Sequence, residues 1–123
     1  RTGELFLGFL PAISASSAKT IRDKIRTWRL PTVWTGETLE TLAKHVDPIV
    51  RGWINYYGRF TRSKCKIVLG YLNRVLVRWA VRKYKRFKGS KRRAARWLAA
   101  IASRDPQLFA LWQAGITPRA AGW

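Results

Sequence analysis

Residues 47–60 read DPIVRGWINYYGRF. Ile49, Val50, Trp53, Ile54, Tyr57 and Phe60 recur at helical intervals and fall toward one side, while Arg51, Asn55 and Arg59 fall toward the other. A stretch divided in this way predicts a helix with one face packed and one face presented. Asp47 is suited to an N-cap and Pro48 to a first helical position, so the helix is expected to start there. Gly58 or the polar residues 61–63 end it.

Toward the N-terminus, residues 38–46 predict a separate helix with Leu39, Leu42 and Val46 inward and His45 at its end, where a cation suits the dipole. Before it, Ala18, Ile21, Ile25 and Trp28 form an apolar stripe, with Lys19, Arg22, Arg26 and Arg29 as a cationic stripe beside it. Ser16 or Ser17 can cap this helix, and Pro31 ends it. Residues 4–10 (ELFLGFL), closed by Pro11, read as one buried strand.

Toward the C-terminus, the longest helix is expected over about residues 64–88. Val68, Leu72, Val75, Leu76 and Trp79 form its apolar stripe, with Cys65 near that side; Arg74, Arg78, Arg82 and Lys85 form its basic stripe. Gly89 reads as a C-cap and Ser90 as an N-cap. A further helix over about 91–104 buries Ala94, Trp97, Leu98 and Ile101; Pro106 starts a short last one with Leu108, Phe109 and Trp112; residues 115–123 fray.

No internal repeat is visible. The fold class is mainly α: a small bundle of about five to six helices with a short N-terminal strand. The expected core includes Trp28, Trp53, Tyr57, Leu72, Trp79 and Trp97, with Gly52 admitting another helix closely. Three segments are expected: 1–13, 14–113 and a tail over 114–123.

The charge pattern points to a partner. Asp47 and Asp105 bracket 57 residues without an acidic side chain, and 17 Lys and Arg fall between them. Eight of the twelve residues in 82–93 (RKYKRFKGSKRR) are basic. The chain carries a formal charge of +19, yet it is 47% hydrophobic and has seven Trp. Disordered basic tails lack such apolar content, so this is a folded basic surface whose natural counterion is nucleic acid. Arg outnumbers Lys, which favours planar, bidentate phosphate contacts. The candidate RNA-binding residues are Arg22, Arg26, Arg29, Arg51, Asn55, Tyr56, Arg59, Arg62, Arg74, Arg78, Arg82, Lys83, Lys85, Arg86, Lys91, Arg92 and Arg93. Tyr71 and Tyr84 are further aromatic candidates; the Trp residues read as core first and stacking platforms second.

Several chemistries are disfavoured. The acids Glu4, Asp23, Glu37, Glu40, Asp47 and Asp105 form no obvious two-metal set, which polymerase and nuclease chemistry requires. One Cys and one His cannot close a zinc shell or form a disulfide framework, and a reducing compartment follows. His45 and Cys65 as base and nucleophile are weaker than their packing roles. No metal, cofactor or membrane partner is expected. The longest uncharged run, residues 5–18, is broken by Gly8 and Pro11, whereas a span needs about 20 apolar residues. It imitates a signal peptide but lacks a leading Met and carries Glu4 where a positive region belongs. The start at Arg1 and the absence of Met read as a piece whose remainder lies N-terminal.

The stretch 48–58 (PIVRGWINYYG) resembles the signature of the maturase-specific domain of group II intron-encoded proteins, also called domain X. That domain is the thumb of their reverse transcriptase. Phe6-Leu7-Gly8-Phe9 is similar to the strand that closes the reverse transcriptase palm, which would make residues 1–13 the end of that palm and 14–113 the thumb. Leu72-Asn73-Arg74, Val77-Arg78-Trp79 and Arg82-Lys83-Tyr84-Lys85 resemble the family's long basic helix. Lys91-Arg92-Arg93-Ala94, Trp97-Leu98 and residues 106–112 resemble its closing segment, so the likeness covers about residues 4–113.

The resemblance implies intron RNA as partner, with promotion of splicing, and a grip on the template-primer duplex against the upstream palm of the same protein. It implies no catalysis by this piece. The parent polymerase would need Mg2+, and the palm's Tyr-x-Asp-Asp turn is absent. The compartment would be bacterial cytoplasm or a eukaryotic organelle. The alternative from another class is a basic helical DNA-binding module of a recombinase or transcription factor, which needs an exposed base-reading helix.

Overall fold

The computed structural model describes residues 15–57 and 62–118; for Ala15 and residues 62–65 it describes the backbone alone. Six helices follow one another: α1 (Ala15–Thr27), α2 (Leu30–Val33), α3 (Leu39–Tyr57), α4 (Arg62–Lys83), α5 (Lys91–Arg104) and α6 (Ala110–Gln113). A 3-10 turn, Lys85–Phe87, lies between α4 and α5. No strand occurs among the described residues, and the expected strand over residues 4–10 lies outside them.

The bundle is organised around α4. It packs against α1, α2, α3, α5 and the 3-10 turn, while α6 closes on α3. Val68, Leu69, Leu72, Val75, Leu76, Val77, Trp79 and Ala80 are all buried. Those positions cover most of the helix circumference, wider than the stripe expected from the sequence. A helix buried over so wide an arc belongs at a centre rather than on a surface.

Trp79 is fully buried and its indole N–H donates to the Trp34 carbonyl at 2.7 Å. The buried Asn73 amide makes two bonds. Its Oδ1 accepts from the Trp112 indole at 2.9 Å, and its Nδ2 donates to the Ile116 carbonyl at 3.2 Å. A buried amide is stable only when satisfied in this way. Asn73 thereby ties the C-terminal segment to α4, and Ile116 is buried. Fraying therefore does not begin at Gly115. Gly115 adopts φ 87°, and the N–H groups of Gly115 and Ile116 return to Trp112 and Leu111. Residues 119–123 lie outside the described residues.

The helix boundaries depart from expectation at four places. Residues 38–46 and 47–60 do not form two helices: α3 runs through Pro48. Pro48 removes one backbone donor, and the carbonyl left without it belongs to Lys44. Pro48 and Lys44 both lie on the exposed side of α3, while Leu39, Leu42, Ala43, Val46 and Val50 keep a continuous buried side. His45 consequently sits within α3, exposed, with its ring 4.6 Å from Trp34. Pro31 belongs to the one-turn helix α2 as well as following α1. Near the C-terminus of α4, Lys83 is the last helical residue; Tyr84 turns extended, and Lys85 belongs to the 3-10 turn. Pro106 starts no helix, since α6 begins at Ala110.

One cap holds as expected: the Ser90 hydroxyl accepts the Arg93 N–H at 3.2 Å. Gly89 takes φ 76° but does not cap α4, because the 3-10 turn intervenes after Lys83. A second cap acts on an unexpected helix. Asp47 is buried, and its Oδ1 accepts the Ala110 N–H at 3.0 Å, the first residue of α6. The residue suited to begin α3 instead satisfies an orphan donor 63 positions away.

Gly52 is exposed, with nothing within 4 Å of where a Cβ would lie. It admits no neighbouring helix, and its place in the expected core is corrected. Trp28, Leu72 and Trp79 are buried, whereas Trp53, Tyr57 and Trp97 are half-buried against the core. Trp53 stacks on Trp28 with ring centroids 6.0 Å apart.

Burial raises the Asp47 pKa above the ordinary carboxylate value, against the opposing pull of the Ala110 N–H and of Arg51. A carboxyl raised in the folded state stabilises most below its unfolded pKa, and that contribution is lost as pH rises through the folded pKa. Asp47→Asn keeps the acceptor and removes the charge. Thermal unfolding across a pH series should show its midpoint at pH 7 equal to or above wild type, with the acid-range slope from this group gone. Asp47→Ala strands the Ala110 N–H and should cost about 1–3 kcal/mol. An Asn variant as damaged as the Ala variant would show that the charge itself holds α6.

Candidate nucleic-acid interface

Among the described residues, the side of α4 left open by packing carries Arg74, Arg78 and Arg82, all exposed, with Lys66 and Ile67 exposed nearer its N-terminus. The spacing of four residues puts successive Arg backbone positions about 6 Å apart along the axis. Lys85 is exposed but has left the helix, so the expected four-residue stripe has three helical members and one on the turn beyond.

Helix α1 meets this strip through Tyr71. The Arg26 Nε donates to the Tyr71 hydroxyl at 3.2 Å, and its guanidinium lies 5.5 Å from the ring centroid. Tyr71 precedes Arg74 by three positions on the same side of α4, so the cationic sides of α1 and α4 join there. Arg26 also pairs with Asp23 at 3.0 Å, and Asp23 receives Lys19 at 3.3 Å. The bond to Tyr71, then Asp23, raises the already high Arg26 pKa. Asp23 makes the α1 stripe less purely cationic than its Arg spacing implies. Arg22 is half-buried beside it.

Arg29 is exposed between α1 and α2 in the left-handed conformation, φ 52° and ψ 40°. Its carbonyl accepts the N–H groups of Thr32 at 3.1 Å and Val33 at 2.8 Å, which launches α2.

The basic run 82–93 is held by an aromatic cluster beneath it. Tyr84 lies edge-on to Trp79, Phe87 and Trp97 at 6.3, 5.9 and 5.2 Å, and Phe87 lies 5.6 Å from Trp97. The Arg86 guanidinium sits over Tyr84 at 5.3 Å and over Phe87 at 4.8 Å. Arg82, Lys85, Arg86, Lys91, Arg92 and Arg93 are exposed around this anchor. The cluster explains how consecutive cations can be rigid: the backbone carrying them is fixed by buried rings on its other side.

Lys83 differs from its neighbours. It is half-buried, its Nζ donates to the Thr35 carbonyl at 2.8 Å, and it lies 5.4 Å from the Trp79 ring. The bond spans α4 and the loop after α2, so Lys83 is a structural latch rather than an available phosphate contact.

On α3, Arg51, Asn55 and Tyr56 are exposed, with Tyr56 at 65%. Arg51 approaches Asp47 at 3.9 Å, a long contact that leaves its outer edge open. Arg59 and the Arg62 side chain lie outside the described residues. The exposed cations that the sequence reading missed include Lys88 and Arg96: Lys88 closes the turn after Phe87, and Arg96 lies four positions beyond Arg92 on α5, a spacing that was available in the sequence. Among the described residues no three His, Cys, Asp or Glu side chains gather as metal ligands, and no helix is long and apolar enough to cross a membrane.

Neither the curated proteins nor the solved structures give a match to this sequence. The family model for the group II intron maturase-specific domain matches residues 18–97, from the first buried residue of α1 to the aromatic anchor on α5. With most of its length matched and its cationic surface carried on the matched helices, the chain belongs to the group II intron maturase-specific domain family.

Proposed function

We propose that this domain binds structured group II intron RNA and promotes its splicing by holding one arrangement of the RNA helices. The carrying observation is the Arg74, Arg78 and Arg82 strip, fixed on the most deeply packed helix of the bundle. RNA helices repel one another, and cations fixed on a rigid element lower that repulsion in one geometry. Phosphate contacts from this strip and from Lys85, Lys91, Arg92 and Arg93 position the RNA; contacts to loops and unpaired bases specify it. The same surface would grip a template-primer duplex beside a palm elsewhere in the parent protein, whose polymerase chemistry would require Mg2+. The domain itself contributes binding, not catalysis. Its setting would be bacterial cytoplasm or an organelle.

A DNA-binding module is the competing reading, and it needs an exposed helix that reads base edges. The exposed side of α4 from Arg74 onward is a line of Arg instead, suited to a phosphate track. Competition between structured intron RNA and duplex DNA separates them: RNA should win, and a preference for duplex DNA would carry the alternative.

Replacing Arg74, Arg78 and Arg82 together with Gln should preserve the helix, because Gln is a good helix former. Binding measured across a salt series should weaken for many RNAs, and the slope against log salt should flatten by roughly two to three units. Lys83→Gln should do the reverse, lowering the thermal midpoint while leaving the slope unchanged. An unaltered slope in the triple variant would remove the phosphate-track model.

Arg29 offers a sharper test because stability and binding should move in opposite directions. An Arg in the left-handed region costs about 1–2 kcal/mol that Gly does not pay. Arg29→Gly should raise the thermal midpoint and weaken RNA binding. Higher stability with unchanged affinity would show that the Arg side chain contributes nothing to the interface.

A further inference from the structure

Two cations, Lys83 and Arg86, each lie over two rings. Lys83 lies over Trp79 and Tyr84 but is half-buried and bonded to the Thr35 carbonyl. The Arg86 guanidinium lies over Tyr84 at 5.3 Å and Phe87 at 4.8 Å, and that residue is exposed. Phe87 is buried, and Tyr84 is wedged against Trp79 and Trp97, so neither ring is free to turn away. The 3-10 turn fixes the backbone between them, and Gly89 and Ser90 fix its exit into α5. A guanidinium is flat and weakly hydrated, and it stacks on both rings and bases. The Arg86 guanidinium is thus held beside two rings that stand at 83° to each other, while the residue remains open to solvent. Exposed Lys85 and Lys88 flank it.

We propose that Arg86 is a stacking platform for one unpaired RNA base, with Lys85 and Lys88 holding the adjoining phosphates. This deepens the proposed RNA-binding role and rests on it. The ligand class is a bulged, looped or terminal nucleotide. A continuous A-form duplex keeps its bases stacked inside and cannot offer one to this surface. Arg86 therefore supplies preference for interrupted RNA, while the α4 strip supplies affinity for any RNA phosphate chain.

The test compares two hairpins of equal length and charge, one fully paired and one with a single-nucleotide bulge, against wild type, Arg86→Lys and Lys85→Gln. Arg86→Lys keeps the charge and loses the plane. It should lose roughly tenfold in affinity for the bulged hairpin, the scale of one base-stacking contact, with the paired hairpin unaffected. A 2-aminopurine placed at the bulge should be quenched on binding wild type and less so on binding Arg86→Lys. Lys85→Gln should weaken both hairpins alike. Circular dichroism and the thermal midpoint check that each variant is folded. If Arg86→Lys binds both hairpins as wild type does, or loses equally on both, the stacking platform is overturned while RNA binding stands. If wild type binds neither hairpin, the RNA-binding reading fails and this inference with it.

Discussion

The burial of more than half of the α4 circumference is the constraint on which the rest of the structure depends. Arg74, Arg78 and Arg82 stand about 6 Å apart along its axis, inside the roughly 8 Å over which charges interact at physiological salt. Like charges four residues apart each cost a helix about 0.2–0.5 kcal/mol. The sequence places no acidic residue between 48 and 104, so none lies on α4 itself. Burying a single large apolar side chain returns about 1.5–3 kcal/mol, and α4 buries Leu69, Leu72, Leu76 and Trp79 completely. Packing wins by a wide margin. The line of charge is tolerated because the remaining circumference is spoken for.

The same balance recurs where the chain leaves α4. Residues 82–93 would, on charge alone, be a solvated tail. Tyr84, Phe87 and Trp97 interlock beneath them, and Lys83 is drawn inward to the Thr35 carbonyl. Of two adjacent cations, Arg82 faces out and Lys83 faces in. Sequence treats them alike; the geometry makes one a candidate ligand contact and the other a latch. The distinction follows from helical position, since Lys83 lies four residues after Trp79 and so shares its side of the helix.

Much of this was legible from residue order. Apolar spacing located α1, α3, α4 and α5, and Gly89 with Ser90 marked the α4–α5 turn by its chemistry. What escaped were long-range satisfactions that local patterns cannot encode. Asp47-Pro48 carries every local sign of a helix start, yet the carboxylate caps α6 and the proline sits on a solvated outer face. Asn73 reads as one polar residue in an apolar run; only the fold brings Trp112 and Ile116 to it. Gly52 suggests close approach, but the space beside it is open. At the interface, spacing found the Arg strip, whereas the Arg26–Tyr71 junction and the Arg86 platform require knowing which rings lie beneath which cations.

These long-range ties also divide the molecule by what holds it. Asp47 to Ala110 and Asn73 to Trp112 and Ile116 fasten the C-terminal segment to α3 and α4 with neutral or partly neutralised groups, away from the exposed Arg strip. Salt and bound phosphate act mainly on the exposed cations, where screening is strong, and little on buried hydrogen bonds. A polyanion therefore relieves the repulsion on α1, α4 and the 82–93 run without touching the bonds that set their arrangement. A ligand that binds the folded surface in preference to the unfolded chain would add stability by mass action on top of that relief. The cationic surface is thus the part of the fold that a bound polyanion would stabilise most, and the apolar axis beneath it fixes the geometry of that surface without one.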